Sequence, residues 1–260
     1  MKYEWIDITR KNGRESNQDT AFFQNIKFDE DDNVTILGIC DGMGGLQDGD
    51  KVSKMAGGLF SNYVNTEMFE HDLKEFLYSP REVENMLEKA LKKVNEKILH
   101  YIQEKQEKDN EFNAGTTLTA ALIYDDNIYI ANAGDSPCYL WKGRDKKVSL
   151  LSEIQNVAWD RYKRGIITKR DSEEFWSASH YLENYIGCKE FQSNKVQRLF
   201  LNQGDILIIG SDGAFGKLMD EEIENAIIAE NLQKSMENIL KAACKKGETD
   251  NQTLILYKRV

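Results

Sequence analysis

The chain is poor in proline, cysteine and histidine, and it has no long apolar run. It has two prolines in 260 residues, so a proline-rich linker between domains is excluded. None of the four cysteines forms a C-x-x-C pair, so the sequence gives no sign of a zinc knuckle or a dithiol redox centre. No segment approaches the roughly 20 apolar residues of a membrane helix. We therefore expect one domain over residues 1–260, without a membrane partner.

Acidic side chains outnumber basic ones, 44 to 34, and the net charge is −10. This balance argues against nucleic acid as a partner, because phosphate backbones attract basic surfaces. An anionic substrate stays possible, since bound metal ions invert the local charge. The dispersed cysteines and the absence of an apolar leader at the N-terminus lead us to expect reduced thiols and a cytoplasmic location.

Hydrophobic periodicity predicts many strands and a few long helices. Short polar turns between the middle strands favour antiparallel pairing, so we expect an α/β (α+β) sandwich around mainly antiparallel sheets. One helix, over about 80–108, is predicted to start with a capping box of Ser79 and Glu82. The predicted strands are 3–9, 20–27, 34–40, 117–124, 127–133, 137–141, 147–151, 196–200, 205–210 and 254–258. The other predicted helices are 48–69, 220–228 and 235–244.

Five aspartates lie in short turns marked by glycine or asparagine, and several of these turns end or open an apolar strand. A single Asp-Gly turn is weak evidence, because this dipeptide is common in turns. Several carboxylates at strand ends are typical of sites for hard cations such as Mg²⁺ or Mn²⁺. The five are Asp19, Asp41, Asp135, Asp212 and Asp250.

The motifs around these aspartates resemble the metal-dependent protein serine/threonine phosphatases of type 2C, the PPM family. The stand-alone bacterial members are the most similar. The resemblance covers nearly the whole chain. In family order the matching elements are R-E-S-N-Q-D (14–19), D-G-M-G-G (41–45), A-G-T-T (114–117), A-N-A-G-D-S (131–136), L-x-x-G-D-x-L-I-I-G-S-D-G (201–213) and D-N-Q-T (250–253).

The resemblance implies a sandwich of two mainly antiparallel sheets flanked by helix pairs, in four layers. A centre of two tightly bound Mn²⁺ or Mg²⁺ ions is implied at one end. Asp41 would bridge both ions, Asp212 and Asp250 would complete the first, and Asp19 with the Gly42 carbonyl would complete the second.

Further roles follow from the same resemblance. Arg14 would bind the substrate phosphate, and Asp135 would help to bind a third, weaker cation. An aromatic-rich, weakly periodic segment at about 153–190 would form short helices in a mobile flap beside the site. The alternative is a rigid helical cover with inward-packed aromatics. His180 of this segment is a candidate for substrate binding or proton donation.

The implied reaction is direct attack of a metal-activated water on phosphoserine or phosphothreonine, without a phosphoenzyme. The implied partners are proteins phosphorylated by a serine/threonine kinase, and a monomer is expected. Two alternatives stay open: a phosphatase for small phosphate esters, and a pseudophosphatase that binds phosphoproteins.

Three positions depart from the pattern of the family. Leu46 follows D-G-M-G-G where many bacterial members have histidine, and Pro137 follows G-D-S where arginine is common. The D-H-S element expected near residue 150 is replaced by S-E-I-Q-N. The metal carboxylates are intact, but these changes leave open which group protonates the leaving group.

Overall fold

The computed structural model describes residues 3–28, 32–43 and 48–260. The strands are β1 (Tyr3–Arg10), β2 (Asp19–Lys27), β3 (Asn33–Met43), β4 (Gly115–Thr116), β5 (Leu118–Tyr124), β6 (Asn127–Ala133), β7 (Cys138–Lys142), β8 (Lys147–Leu150), β9 (Gln197–Phe200), β10 (Ile206–Gly210) and β11 (Gln252–Arg259). The helices are α1 (Gly49–Phe69), α2 (Leu73–Leu77), α3 (Pro80–Gln106), α4 (Val157–Lys163), α5 (Glu173–Ser179), α6 (Asp212–Phe215), α7 (Asp220–Ala226) and α8 (Leu232–Lys245).

The strands form two sheets. The first sheet has the order β1-β11-β10-β7-β8, and the second has the order β2-β3-β5-β6-β9, with β4 added beside β3. Every pair is antiparallel. This pairing agrees with the short polar turns in the sequence, which leave no room for crossover helices.

Alternation of side chains along the strands produces the layers. In β3, Ile36 and Cys40 pack against α1 and α3, whereas Leu37 and Ile39 face the first sheet. The first sheet alternates in the same way: Leu207 and its counterparts face the second sheet, while their neighbours pack against α7 and α8. The result is a helix–sheet–sheet–helix sandwich, which confirms the predicted fold class.

Several local predictions differ from the structure. The strand predicted to end at Cys40 continues to Met43, because Asp41 still pairs with Asp19 of β2 and the next two residues pair with β4. The capping box is wrong: Ser79 is the N-cap residue of α3, but its side chain makes no capping hydrogen bond. The helix predicted from residue 235 begins at Leu232, where Asn231 caps it by accepting from the N–H of Lys234.

The segment 153–190 contains α4 and α5 and a small aromatic cluster of its own. The Phe175 ring lies 6.0 Å from Trp159 and 6.1 Å from Tyr162, both edge-on. Phe175 and Ala158 are buried at the centre of this cluster. These aromatics pack inward, as the helical-cover alternative requires, and mobility of the segment stays a prediction. None of the described helices has the length and apolarity needed to cross a membrane.

Candidate active site

The structure brings the five aspartates to one end of the sandwich. Asp19 is the first residue of β2 and stands directly opposite Asp41 of β3. Asp212 is the first residue of α6, just beyond β10, and Asp250 lies shortly before β11. Asp135 lies in the connection between β6 and β7. Because β7, β10 and β11 are neighbours in the first sheet, the last three aspartates reach the same edge.

One open cleft collects most of the predicted site residues. Asp19 is buried beside its cross-strand partner Asp41 and does not line this cleft. His180 is exposed at the end of α5 and forms part of the rim. The predicted residues that line the cleft are Arg14, Asp41, Gly42, Asp135, His180, Asp212 and Asp250.

The main chain of Asp41 is held on both sides. Its N–H donates to Thr117 Oγ1 at 2.9 Å, and its carbonyl accepts from Thr116 Oγ1 and from the N–H of Thr117, each at 2.9 Å. Both threonines belong to the A-G-T-T element, so this element supports the main chain of Asp41. This bonding fixes the backbone from which the Asp41 carboxylate projects.

A chain of hydrogen bonds ends on Asp19. Thr253 Oγ1 donates to Asp19 Oδ2 at 2.7 Å, and the Thr253 and Thr9 hydroxyls are 2.8 Å apart. A hydroxyl has one proton to donate, so Thr9 must donate to Thr253. Asn17 Nδ2 donates in turn to Thr9 Oγ1 at 2.8 Å. All donors in this chain therefore point toward the carboxylate.

The carboxylates raise one another's pKa values. Burial raises the pKa of Asp41 well above its ordinary range, and the nearby charges of Asp19 and Asp212 raise it further. The pKa of Asp212 is raised by burial first and by Asp135 and Asp250 next. The pKa of Asp19 is also raised by burial, against the opposing effect of its hydrogen bond from Thr253. In the metal-free site, ionisation of these carboxylates is therefore unfavourable, and a bound cation would favour their charged form.

Arg14 lies at the mouth of the cleft and pairs with Asp250. Its Nη2 is 2.6 Å from Asp250 Oδ2, and its side chain is 59% exposed. The pKa of Arg14 is raised by this hydrogen bond and by the charge of Asp250. Exposure leaves the rest of the guanidinium fork accessible to a second anion.

Asp135 is buried and accepts a hydrogen bond from Asn156 Nδ2 at its Oδ2, at 3.0 Å. Burial raises the pKa of Asp135 to about 6, while Asn156 and then His180 act in the opposite direction. Asn156 belongs to S-E-I-Q-N, the element that replaces the expected D-H-S. That replacement therefore contributes a neutral amide that orients Asp135.

Two glycines permit close approach of backbone in this region. A Cβ on Gly42 would collide with the carbonyl oxygens of Gly49 and Gln18. A Cβ on Gly213 would collide with the carbonyl of Asn251. Both glycines directly follow a site aspartate, so the Asp-Gly pairs are needed for packing as well as for turning. Gly44 and Gly45 of D-G-M-G-G, and Leu46 after them, lie outside the described residues.

The donor set fits a hard cation. Among the described residues, no group of three or more acidic, histidine or cysteine side chains has the arrangement of a formed metal site. One of the predicted ligands, Asp250, is instead paired with Arg14. The side chains of Asp19 and Asp212 lie within hydrogen-bonding reach of Asp41. Asp19 Oδ1 is buried and has no hydrogen-bond partner among the described residues. An unpaired carboxylate oxygen among further carboxylates is the oxygen-only chemistry that Mn²⁺ and Mg²⁺ require.

Sequence reasoning missed the residues that orient the aspartates. Thr253 and Asn251 lie inside D-N-Q-T, yet only Asp250 of that motif received a role. Asn251 Oδ1 accepts from the N–H of Gln18 at 2.9 Å, which joins the last motif to the first. The motif itself carried the signal for Thr253 and Asn251. Asn156 had no such signal, because its contact with Asp135 depends on the fold of the segment 153–190.

Comparison with known proteins decides the family. Residues 10–253 match the family described as protein phosphatase 2C. The chain belongs to this family. The serine/threonine phosphatase stp of Listeria monocytogenes serotype 4b (strain F2365) is 27% identical over 234 residues, which are 89% of this chain and 87% of that protein.

Solved structures of phosphatases have the same fold. The S. agalactiae serine/threonine phosphatase aligns over 100% of both chains, with a TM-score of 0.78 and 24% identity. The catalytic domain of the serine/threonine protein phosphatase PstP, solved in complex with 2 manganese ions, aligns over 98% of this chain and 97% of that chain, with a TM-score of 0.72 and 18% identity.

Membership of the protein phosphatase 2C family fixes the enzyme class. The chain is a metal-dependent protein serine/threonine phosphatase, with phosphoproteins as substrates and Mn²⁺ or Mg²⁺ as cofactor. The predicted family, fold and enzyme class are confirmed. The roles of individual site residues stay predictions.

Proposed function

We propose that the cleft above Asp41 hydrolyses phosphoserine and phosphothreonine in proteins that a serine/threonine kinase has phosphorylated. The observation that carries this proposal is the convergence of carboxylates from both sheets beside one accessible guanidinium. Without cations this acidic cluster would repel a phosphate ester, because like charges at short range disfavour each other. With cations it becomes a site that attracts phosphate.

We assign five groups to two tightly bound cations. Asp41 would contact both, since the side chains of Asp19 and Asp212 both lie within hydrogen-bonding reach of it. Asp212 and Asp250 would complete one site, and Asp19 with the Gly42 carbonyl the other. When bound, the cations would supply a water activated for direct attack on phosphorus and would neutralise the phosphoryl oxygens.

Arg14 would bind the substrate phosphate. Its guanidinium already donates to the Asp250 carboxylate at 2.6 Å, which shows that an oxyanion is accommodated at this distance. A phosphate oxygen is an equivalent acceptor, and the planar fork suits two such oxygens at once. The hydrogen bond with Asp250 also holds the Arg14 guanidinium in position before the substrate binds.

Asp135 and His180 would act at the edge of the centre. Asp135 would help to hold a third, weaker cation near Asp212, and a proton for the departing alkoxide would come from that side of the cleft. His180 would contact the substrate from the rim formed by residues 153–190, a flap within the single domain 1–260.

The four cysteines, Cys40, Cys138, Cys188 and Cys244, are all unpaired, and this supports a reducing, cytoplasmic location. We also expect a monomer.

The decisive experiment is hydrolysis of phosphothreonine peptides by the purified chain with added Mn²⁺, with a chelator, and with Asp41→Asn. We expect activity only in the wild type with cation. Sugar and nucleotide phosphates serve as the comparison series. Faster hydrolysis of those esters than of every phosphopeptide would contradict a phosphoprotein substrate. Binding of phosphopeptides without any hydrolysis would show a pseudophosphatase.

A further inference from the structure

A second cavity, of about 70 Å³, adjoins the aspartate cleft. The two spaces share four lining residues, which are Asp135, Ser179, His180 and Asp212. A molecule seated over the carboxylates therefore has a direct path into this cavity. One water needs roughly 10–15 Å³ of such space, so the cavity has room for the several heavy atoms of a side chain.

The apolar part of the cavity lining comes from three parts of the fold. Trp159, Phe175 and Trp176 come from α4 and α5, and Pro137 comes from the connection before β7. The third wall is Phe215, Leu218 and Met219, from α6 to the start of α7. These walls would exclude water from a bound aliphatic group and so favour its binding.

The two cationic side chains in the lining already have partners. Arg170 lies over the Trp159 ring, 4.7 Å from its centroid, and its Nη1 donates to Asp220 at 3.2 Å. Lys217 Nζ donates to the Gly247 carbonyl at 3.3 Å and is 3.5 Å from Glu248. The carboxylates in the lining are engaged as well: Asp135 accepts from Asn156, Glu248 pairs with Lys217, and Asp212 lies within hydrogen-bonding reach of Asp41. Because these charges have partners, the cavity does not call for a charged occupant.

We propose that this cavity binds an aliphatic side chain, of the size of valine or leucine, that lies close in sequence to the phosphorylated residue of the substrate. The proposal rests on the proposed function, because the phosphate must lie over Asp41 for a neighbouring residue to reach the cavity. An extended peptide advances about 3.3–3.6 Å per residue, so the occupant lies within a few positions of the phosphate. The cavity would thus select among phosphoproteins.

The test is a set of phosphothreonine peptides in a glycine background, with leucine or phenylalanine placed singly at each of the two positions on either side of the phosphothreonine. For the wild type, we expect kcat/KM to rise about tenfold at one position, as burial of an aliphatic side chain implies. Ser179→Leu fills the cavity and should reduce this preference to about one. Met219→Ala widens the cavity and should move the preference from leucine to phenylalanine.

Ser177→Leu is the matched control, because Ser177 is exposed on the same helix and lines neither space. It should retain the wild-type preference. Equal kcat/KM for all peptides, or a leucine preference that survives in Ser179→Leu, would overturn the cavity assignment alone. Turnover of an aryl phosphate without turnover of any phosphopeptide would overturn the proposed function as well.

Discussion

Thr253 Oγ1 donates a hydrogen bond to Asp19 Oδ2 at 2.7 Å, and this bond joins the two sheets at the end where the aspartates converge. Thr253 belongs to β11 of the first sheet, and Asp19 begins β2 of the second. Both side chains are buried. The bond therefore sets the orientation of a carboxylate that has little freedom to find another partner.

Thr253→Val should weaken cation binding at the site that includes Asp19. The variant keeps the shape of the side chain but leaves a buried carboxylate oxygen without its donor, at a cost of about 1–3 kcal/mol. We expect a higher Mn²⁺ concentration for half-maximal activity and a lower melting temperature. Thr253→Ser retains the hydroxyl and is the control. If valine and serine variants have the same Mn²⁺ dependence, the hydroxyl does not orient Asp19.

Asp41→Asn should abolish hydrolysis and weaken both proposed cation sites, because Asp41 lies within hydrogen-bonding reach of both Asp19 and Asp212. Asp212→Asn and Asp250→Asn should damage chiefly one site. Metal counting after dialysis measures the ions retained by each variant, and Asp171→Asn, at an exposed position, is the control. Two tightly retained Mn²⁺ ions in Asp41→Asn would show that Asp41 does not bridge.

Arg14→Ala should raise the KM for phosphoesters with little effect on metal content. Loss of a charge-assisted hydrogen bond to phosphate corresponds to about 1.5–3 kcal/mol, or roughly 10- to 150-fold in affinity. The exposed ion pair with Asp250 contributes little by itself, so folding should be unaffected. Lys11→Ala removes a nearby exposed cation and is the control. An unchanged KM across several substrates would remove Arg14 from phosphate binding.

The sequence predicted the layers and the position of the site, because strand alternation and Asp-Gly motifs are local signals. Alternation in β3 alone separates the helix-facing Ile36 from the sheet-facing Leu37. The boundary after Cys40 was wrong, since pairing of Asp41 with β2 and of Gly42 with β4 overrides the turn signal of the glycine after Asp41.

Contacts between distant segments could not be predicted from strand alternation or from short motifs. Asn156 reaches Asp135 only after the segment 153–190 folds over the sheet edge, and its sequence context departs from the family pattern. The pairing of Arg14 with Asp250 joins the two ends of the chain. Local periodicity contains no information about contacts between distant segments. The resemblance to the family placed Arg14 and Asp250 at one site but did not predict that they form an ion pair.

The stability of the metal-free protein should fall as pH rises. The pKa of Asp135 is raised by burial to about 6, and those of Asp41 and Asp212 are raised well above the ordinary range. The native state therefore holds protons that the unfolded state, with aspartate pKa values near about 3.9, releases. The stabilisation from these protons is complete below about pH 4 and is lost as pH rises through the native pKa values.

Urea unfolding with a chelator from pH 5 to 8 measures this effect. The free energy of unfolding of wild type should fall relative to Asp135→Asn between about pH 5 and pH 7, and Asp171→Asn should follow the wild type. Saturating Mn²⁺ should restore wild-type stability at pH 8, because the native site binds the cation. A pH-independent difference between wild type and Asp135→Asn would contradict the raised pKa.

Asp135→Ala tests whether this aspartate assists the departure of the alkoxide. Asp135 is buried beside the cleft, and Asn156 holds its carboxylate toward the shared lining of the two cavities. Serine and threonine alkoxides are poor leaving groups that need a proton, whereas p-nitrophenolate needs little help. We therefore expect kcat to fall about 10²-fold on phosphothreonine peptides and only slightly on p-nitrophenyl phosphate, with the two tight cations retained. Asn156→Ala removes the orienting amide together with the N-cap of α4, since Asn156 Oδ1 also accepts from the N–H of Trp159 at 3.0 Å. It should give a smaller loss with the same substrate dependence. Equal losses on both substrates would assign Asp135 to phosphate or metal binding, and unchanged turnover on both at millimolar Mn²⁺ would leave it as a turn residue.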